Sequence, residues 1–315
     1  MRSRLVVLAT IVIAVAALAF AIPRIFIGPR RPAAVHASLR PVLSSYLGAF
    51  EEGAPPAYQP LQEFGKLAGR QPDLVGYFSG WAEPFDTAFA DTVNAHGAIL
   101  FVQIDPTYAS IPAIASGIYD SYLRSYAATV RDFGQPVVIG FGHEMNGSWY
   151  PWSHVSPRTF VAAWRHIVTL FRGQGTDNVT WLWTINAAGR KGVKPAVRWW
   201  PGPDYVTWIG IDGFYFRTSD TFQNIFAKTI DQVRFFTDKP VLLSETAVGP
   251  AAGQFLKIED LFSGMTKFKT LGLVWFDQNQ HAGIYHQDWR IEDNRTAAAA
   301  FRLEVQDRLK PAATP

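Results

Sequence analysis

Two glutamates stand at the ends of apolar segments, where a charged side chain is unexpected. Glu144 lies in the segment GFGHEMNGSWYPW, which follows the apolar run PVVI at residues 136–139. Glu245 closes the run PVLLSE. A carboxylate at the end of a buried strand is costly to remove from water unless it has a use. Two carboxylates facing one cleft can divide the work of glycoside hydrolysis, one donating a proton and the other attacking or activating water. Glu144 and Glu245 are therefore the leading catalytic candidates.

Aromatic side chains cluster beside the first of these glutamates. Trp149, Tyr150 and Trp152 come shortly after Glu144. Sugar rings have apolar faces that stack on such side chains. The pattern fits a carbohydrate better than acyl or phosphoryl transfer, because the sequence has neither a G-x-S-x-G elbow nor a Walker loop. Gly147 stands where the second histidine of an H-E-x-x-H zinc motif would be, so we expect no metal and no cofactor.

Short apolar segments alternate with helical patterns from Ser44 onward. Several segments are almost continuously apolar, as strands buried on both faces are. The helices carry ordinary signals, such as Ser156 as a predicted N-cap followed by Pro157. This alternation predicts an α/β protein with a (β/α)8 TIM barrel. The eight predicted strands are residues 46–50, 74–81, 98–104, 137–142, 179–185, 208–215, 241–245 and 273–277.

A TIM barrel carries its active site at the C-terminal ends of the strands. Glu144 follows the fourth strand and Glu245 ends the seventh, which places both in one cleft. The alternative fold is an open doubly wound sheet, but a G-x-G-x-x-G in its first turn is missing from the sequence. Asp105 follows the third strand and fits either a sugar hydroxyl or a turn cap equally well. The other candidates for substrate binding at strand ends are Trp81, His143, Tyr215 and Trp275.

The segments HEMNGSWYPW and LLSET resemble the two catalytic motifs of glycoside hydrolase family 26, whose best-known members are β-mannanases. A histidine before the acid/base distinguishes this family from most of its clan, which has asparagine there. The resemblance covers most of the chain, from the first strand to the eighth. It implies a retaining hydrolase on a (β/α)8 barrel, with Glu144 as acid/base, Glu245 as nucleophile and His143 as the neighbour that shapes the site.

The resemblance also implies roles for three aromatic residues. Trp149 is expected beside the acid/base, Tyr215 is expected to hydrogen-bond the nucleophile, and Trp275 is expected to form the platform under the sugar in the cleavage subsite. Trp81, Trp149 and Trp275 are also compatible with a place in the core. The segment FVQIDP in the third strand departs from the more aromatic pattern expected there, and the distal binding positions find no match, which leaves the substrate open.

The expected activity is endo-type hydrolysis of a β-mannan by double displacement. A β-1,3-xylanase or a mixed-linkage β-glucanase on the same barrel is one alternative. The other is a non-catalytic accessory protein that binds polysaccharide in the same cleft without cutting it. The presence of both glutamates favours catalysis over binding alone.

The first residues predict export. Arg2 and Arg4 precede an uncharged apolar run at residues 5–22, and mark the cytoplasmic side. The run exceeds a signal-peptide core of about 7–15 residues and approaches the roughly 20 residues that span a bilayer. The tripeptide AFA at residues 19–21 nevertheless matches a cleavage site. We expect an extracytoplasmic protein, membrane-anchored or secreted, with an anchor or signal peptide at 1–27, a linker at 28–43 and the catalytic domain at 44–310.

Composition narrows the possible partners. The chain has 315 residues, a net charge of +3, 17% charged residues and no cysteine. It is long enough to bury a large core, and no long basic run suggests nucleic acid. Disulfides and thiolate metal sites are excluded because cysteine is absent. The expected partners are a poly- or oligosaccharide substrate and the membrane through the N-terminal segment, and the protein is expected to be a monomer.

Overall fold

Eight parallel strands form a closed barrel in the computed structural model, which describes residues 39, 42–189, 191–249, 252–280 and 287–310. The strands pair in sequence order, and the eighth closes the ring against the first. The predicted TIM barrel is confirmed, and every strand end lies within one residue of its predicted place except the end of β6. The strands are β1 Tyr46–Glu51, β2 Leu74–Gly80, β3 Ile99–Asp105, β4 Val137–Phe141, β5 Val179–Asn186, β6 Trp208–Asp212, β7 Val241–Thr246 and β8 Gly272–Asp277.

Helices follow the strands and form the outer layer. Ser156 is the N-cap predicted from the sequence, since its Oγ accepts a hydrogen bond from the Thr159 amide at 3.1 Å. The helical segment after β6 divides into a π-helical turn, Gln223–Ala227, and a short α-helix. The α-helices are α1 Gln59–Ala68, α2 Thr87–Ala95, α3 Ile111–Ala115, α4 Asp120–Phe133, α5 Pro157–Gly173, α6 Lys228–Arg234, α7 Gln254–Phe268 and α8 Arg295–Arg308.

The core has two layers, one inside the barrel and one between the barrel and its helices. Phe50 of β1 lies 5.4 Å from Phe101 of β3 and 6.1 Å from Phe276 of β8, measured between ring centroids. In the outer layer, Phe171 of α5 packs edge-on against Trp181 of β5, with ring centroids 5.2 Å apart. Successive side chains of a strand point to opposite faces, so neighbouring residues serve different layers.

β7 loses regular pairing with both neighbours where it approaches the C-terminal end of the barrel. Its register with β6 shifts between Gly210 and Asp212, and its register with β8 shifts between Leu243 and Thr246. Irregularities of this kind bend a strand and re-aim its side chains, and they occur often beside active sites. Glu245 lies within this irregular stretch.

After β8 the chain makes a small antiparallel pair, β9 Asn279–Gln280 with β10 Gln287–Asp288, before α8. In the described part of the chain, no helix is both long enough and apolar enough to cross a bilayer. The predicted anchor or signal peptide at residues 1–27 lies outside the described residues, as does most of the predicted linker. Export therefore stays a prediction.

Candidate active site

The strand ends enclose a cleft of about 260 Å³, which we call the central cleft. Both candidate glutamates line it, as do two other residues predicted for the site, Asp105 and His143. The complete lining is Phe78, Asp105, His143, Glu144, Tyr150, Phe214, Phe216, Glu245, Phe276, Gln278, Gln280 and Trp289.

Glu144 is held in a sharply turned backbone just beyond β4. Its φ is +53°, a left-handed conformation that is uncommon outside glycine, and Gly142 has the same φ. The Trp149 indole donates to Oε2 of Glu144 at 2.5 Å, and the Asn186 amide nitrogen donates to Oε1. The expectation that Trp149 lies beside Glu144 is met by this contact. Two donors aimed at one carboxylate orient it toward the cleft.

The loop that carries Glu144 is pinned to the end of β5. Asn146 accepts a hydrogen bond from the Asn186 amide and donates to the Asn186 carbonyl, both at 2.9 Å. The Glu144 amide also donates to the Thr184 carbonyl at 3.0 Å. This cross-bracing between β4 and β5 stabilises the strained backbone at Glu144.

Glu245 is about as buried as Glu144 but differs from it in its hydrogen bonds. The residue is 6% exposed, and its Oε1 has no hydrogen-bond partner among the described residues. Burial, followed by the charges of Asp212, Glu144 and Asp105, raises the pKa of Glu245 well above its ordinary value. Both glutamates are therefore buried, and they differ in their hydrogen bonds, since two donors hold Glu144 while Oε1 of Glu245 has none among the described residues.

His143 links the cleft to its neighbours through both ring nitrogens. Nδ1 lies 3.0 Å from Oδ1 of Asp105, and Nε2 lies 2.9 Å from the Tyr150 hydroxyl. Burial alone would lower the pKa of His143, but the charge and hydrogen bond of Asp105, with the charges of Glu144 and Asp212, raise it to about 9. The raised pKa favours the protonated form of His143 beside Asp105 at neutral pH.

Trp275 does not lie in the cleft, so the prediction that it forms the platform under the sugar is wrong. The side chain is fully buried and packs edge-on against Phe301 of α8, with ring centroids 4.9 Å apart. Its Nε1 donates to Oδ1 of Asp277 and to the Trp289 carbonyl. Strand alternation explains the error, because Trp275 points to the helices while its neighbour Phe276 points into the cleft.

Tyr215 likewise directs its hydroxyl to a residue other than Glu245, the predicted nucleophile. Its hydroxyl donates to Oδ2 of Asp260 in α7 at 3.0 Å, and the residue is 1% exposed. β6 ends at Asp212, three residues before its predicted end at 215. Tyr215 therefore lies beyond the strand, and its side chain faces α7 instead of the cleft. The aromatic side chain that reaches the cleft from this strand end is Phe214, which has no hydroxyl to offer Glu245.

Trp81 is half-buried beside the barrel rim. It packs against Tyr119 and Tyr122 near α4, with ring centroids 5.3 and 5.0 Å away, and against Phe141 of β4. These contacts give Trp81 a packing role around the site, which was the alternative to substrate binding that the sequence left open for it.

Several residues that line the cleft or contact its glutamates were not predicted. Asn186 ends β5, and applying the strand-end rule to that strand would have found it. Phe78 lies two residues before the end of β2, and Phe276 lies one residue before the end of β8. The strand-end rule alone therefore does not select them, and the alternation of side chains along a strand is also needed. Gln280 and Trp289 belong to the segment after β8, where sequence periodicity carries no signal.

Two further cavities adjoin the central cleft. One of about 280 Å³, which we call the β1–β2 cavity, shares Phe78 and Gln278 with it. The other of about 750 Å³, which we call the β5–β6 cavity, shares Phe214 and Phe216 with it and also contains Trp149. The three form a row across the end of the barrel. In the part of the chain that the structure describes, no group of three or more histidine, aspartate or glutamate side chains is arranged to hold a metal ion.

Known proteins share this architecture. Mannanases from Bacteroides ovatus and Bacillus subtilis superpose with TM-scores of 0.62 and 0.61 at 17% and 16% identity. The matches cover 84% of this chain and 89% of the Bacteroides protein, and 86% and 87% for the Bacillus protein. At such low identity they establish the fold alone.

Sequence comparison reaches further than the structural matches. Endoglucanase H of Acetivibrio thermocellus is 30% identical over 271 residues, which is 80% of this chain and 29% of the relative. A β-1,3-xylanase from a Vibrio species is 28% identical over 113 residues, 34% of this chain and 22% of the relative. The chain thus spans less than a third of these curated relatives. The model of glycosyl hydrolase family 26 matches residues 76–305. That match includes β4 with Glu144 and β7 with Glu245, and the chain belongs to glycosyl hydrolase family 26.

Proposed function

We propose that this glycoside hydrolase is a retaining endo-β-glycanase that acts on β-mannan by double displacement. The observation that carries the proposal is the pair of glutamates in the central cleft, each in its own environment. Glu144 accepts hydrogen bonds from Trp149 and Asn186, and Glu245 is buried at the bulged end of β7. Retaining hydrolysis needs two such groups about 5–5.5 Å apart with different tasks.

In the first step, a carboxylate oxygen of Glu245 attacks the anomeric carbon while Glu144 gives its proton to the departing glycosidic oxygen. In the second step, Glu144 takes a proton from water, and the resulting hydroxide releases the sugar from Glu245. Trp149 and Asn186 hold the Glu144 carboxyl in place through both steps. Two inversions at the same carbon leave the product with the configuration of the substrate.

The row of cavities supports endo action. Cavities adjoin the central cleft on both sides, so a chain can extend past the cleavage point in either direction. The leaving group belongs on the side of the acid/base. Because Trp149 contacts Glu144 and lines the β5–β6 cavity, we assign that cavity to the leaving-group sugars and the β1–β2 cavity to the glycone.

A β-glucan is the second candidate substrate. The similarity to Endoglucanase H extends over 80% of this chain at 30% identity, a stronger sequence relation than the 15–18% identity to mannanase structures. The two sugars differ in the orientation of a single hydroxyl, which small changes in the cleft can distinguish. A product assay on mannan, β-glucan and β-1,3-xylan decides among them.

The roles of the two glutamates are tested by Glu144→Ala and Glu245→Ala on an aryl β-glycoside with an activated leaving group. Such a leaving group departs without a proton, so Glu144→Ala should still form the glycosyl-enzyme in a burst and then stall, because the base for the water step is missing. Azide should enter the vacated space and restore turnover, giving a glycosyl azide of retained configuration. Glu245→Ala should lose turnover on every substrate.

Burst amplitude, azide rescue and product stereochemistry by NMR give the result. An inverted product, or equal losses for Glu144→Ala on polymer and aryl substrate without burst or rescue, would overturn the roles. Polysaccharide binding without hydrolysis by the unaltered protein would favour the accessory-protein alternative.

A further inference from the structure

Gly147 lies directly under the indole ring of Trp149. A Cβ atom at position 147 would lie 2.5 Å from Cζ2 and 2.7 Å from Cε2 and Cη2 of that ring, closer than real side chains approach. The same indole donates its Nε1 hydrogen to Oε2 of Glu144 at 2.5 Å. The place of this donor on the Glu144 carboxyl group therefore depends on the absence of a side chain at position 147.

The backbone itself does not require glycine at this position. Gly142 has a φ of +53°, in the left-handed region that favours glycine, whereas the φ of Gly147 lies outside that region. Alanine can therefore adopt the backbone of Gly147 without the strain of a left-handed conformation. It is the indole of Trp149, and not the turn, that excludes a larger residue.

The loop around Gly147 is fixed, whereas the indole has room to move. The Gly147 amide donates to the Glu144 carbonyl, and the Lys194 amide donates to the Asn146 carbonyl, both at 2.8 Å. Trp149 is only half-buried and lines the β5–β6 cavity. A side chain at position 147 would therefore push the ring toward that cavity, by roughly 1 Å to reach an ordinary carbon–carbon contact of about 3.5 Å.

A movement of this size takes the indole donor away from Glu144. The bond to Oε2 is 2.5 Å long, and N–H···O bonds are formed up to about 3.2 Å. Hydrogen bonds to a carboxylate are stronger than those between neutral groups, so this is a large loss of orienting force. The Asn186 amide nitrogen would then remain as the donor on Oε1.

We propose that Gly147 is a positioning residue, which seats the indole of Trp149 so that it holds Glu144 ready to protonate the leaving group. The inference rests on the proposed function for the role of Glu144. Gly147 acts through Trp149 and does not itself take part in the chemistry. Because an activated aryl group leaves without a proton, the seat matters for a sugar leaving group and not for an aryl leaving group.

The test compares kcat/KM of Gly147→Ala on mannohexaose and cellohexaose with kcat/KM on the activated aryl β-glycoside. Gly147→Ala should lower kcat/KM at least tenfold for the hexasaccharide that is cleaved and less than threefold for the aryl substrate. Gly173→Ala in α5 is the matched control, because a Cβ there meets nothing within 4 Å and its φ also lies outside the left-handed region. It should leave both substrates within twofold.

A double-mutant cycle with Trp149→Phe tests whether Gly147 acts through Trp149. The phenyl ring has neither the N–H nor the outer ring atoms that a Cβ at position 147 would meet. In the Trp149→Phe protein, Gly147→Ala should therefore change kcat/KM less than twofold on either substrate. Additive losses would overturn the proposal, as would equal losses on both substrates in Gly147→Ala, which indicate damage to the fold, or no loss at all.

The indole N–H signal of Trp149 in a nitrogen–proton NMR spectrum gives a readout without turnover. The signal is identified by its absence from Trp149→Phe. It should move upfield in Gly147→Ala, where the bond to Glu144 is lost, and stay in place in Gly173→Ala. An unmoved signal in Gly147→Ala would overturn the proposal. If the unaltered protein hydrolyses none of the substrates, the catalytic proposal fails, while this signal still decides whether Gly147 seats Trp149 on Glu144.

Discussion

Two acid groups with raised pKa values, Asp212 and Glu245, lie in or beside the central cleft near Asp105 and Glu144. Asp105, Glu144, Asp212 and Glu245 act on one another there, with the His143 imidazole as the opposing charge. Like charges at such distances favour retention of protons. As the proposed nucleophile, Glu245 must lose the proton that its raised pKa favours before the first step.

Asp212 is the neighbour with the largest influence on that proton. It is fully buried, its Oδ1 accepts a hydrogen bond from the Ser244 hydroxyl at 2.6 Å, and its Oδ2 has no partner among the described residues. Burial, followed by the charge of Glu144, raises the pKa of Asp212 well above its ordinary value, against the lowering effect of His143. After burial, the charge of Asp212 is the largest cause that raises the pKa of Glu245.

Replacing Asp212 with asparagine should move the acid limb of the pH profile to lower pH. The negative charge of Asp212 raises the pKa of Glu245, so its removal lowers that pKa and lets the nucleophile ionise earlier as pH rises. The measurement is kcat/KM against pH for the activated aryl substrate, whose departure does not depend on Glu144. Asp91→Asn on the exposed face of α2 serves as control and should leave the limb in place. If the acid limb of Asp212→Asn stays in place or moves to higher pH, the charge of Asp212 does not raise the pKa of Glu245.

At the level of elements, strand alternation decides which aromatic side chains face the cleft. β8 sends Trp275 toward α8 and Phe276 toward the cleft. Beyond β6, Phe214 faces the cleft and Tyr215 faces α7. A shift of one residue exchanges the two faces of a strand, so motif position alone places a side chain poorly.

Trp275→Ala and Phe214→Leu should therefore behave in opposite ways. Trp275→Ala removes a buried side chain and should lower the free energy of unfolding by about 3–5 kcal/mol. Phe214→Leu keeps apolar volume but removes a flat ring from the cleft, so it should weaken sugar binding by roughly 1 kcal/mol with a stability loss below about 1.5 kcal/mol.

Denaturant unfolding and oligosaccharide calorimetry on both variants provide the comparison. A stable Trp275→Ala that binds sugar poorly would restore Trp275 as the platform. Unimpaired binding by Phe214→Leu would remove Phe214 from the binding surface.

For the whole molecule, closure of the barrel depends on the seam between β1 and β8. The two strands pair along their entire length, from Tyr46 opposite Gly272 to Glu51 opposite Asp277. Burial, followed by the charge of Glu292, raises the pKa of Asp277 from 3.8 to about 8. The seam therefore ends on two carboxyl groups that hold protons in the folded chain and release them on unfolding.

Because the folded chain binds these protons and the unfolded chain releases them, the free energy of unfolding falls as pH rises. Unfolded Asp277 and Glu51 release their protons near pH 4, whereas the folded chain keeps them until about 8 and about 11. Between these limits the native state binds more protons, so the free energy of unfolding decreases with pH by up to about 1.4 kcal/mol per pH unit for each proton. Stability from this pair is complete below pH 4 and is lost progressively above it.

Glu51→Gln removes one of the two titrating groups. The free energy of unfolding should then decline less steeply with pH, by the slope that corresponds to about one bound proton. Denaturant unfolding of both proteins at pH 5, 6, 7 and 8 gives the two slopes. Identical slopes would show that Glu51 does not hold an extra proton in the native state. Glu52→Gln, at an exposed neighbour, should reproduce the slope of the unaltered protein.

The amino-acid sequence by itself determined the barrel and its candidate catalytic pair. Apolar strands buried on both faces, separated by capped helices, are readable from local pattern, and strand ends then bring Glu144 and Glu245 to one face. Glu144 and Glu245 could be found in this way because a carboxylate at the end of an apolar strand is conspicuous. The apolar run at residues 5–22 predicts export just as locally.

Only the tertiary structure decided which side chains surround that pair. The bulge in β7, the early end of β6 and the pairing of Glu51 with Asp277 depend on neighbours far apart in the chain. A strand has two faces, and one residue of register separates Trp275 from Phe276, so the choice between packing and binding is made when the strands pair and the helices cover them. Hydrophobic pattern specifies that a side chain is buried, but only packing specifies against what.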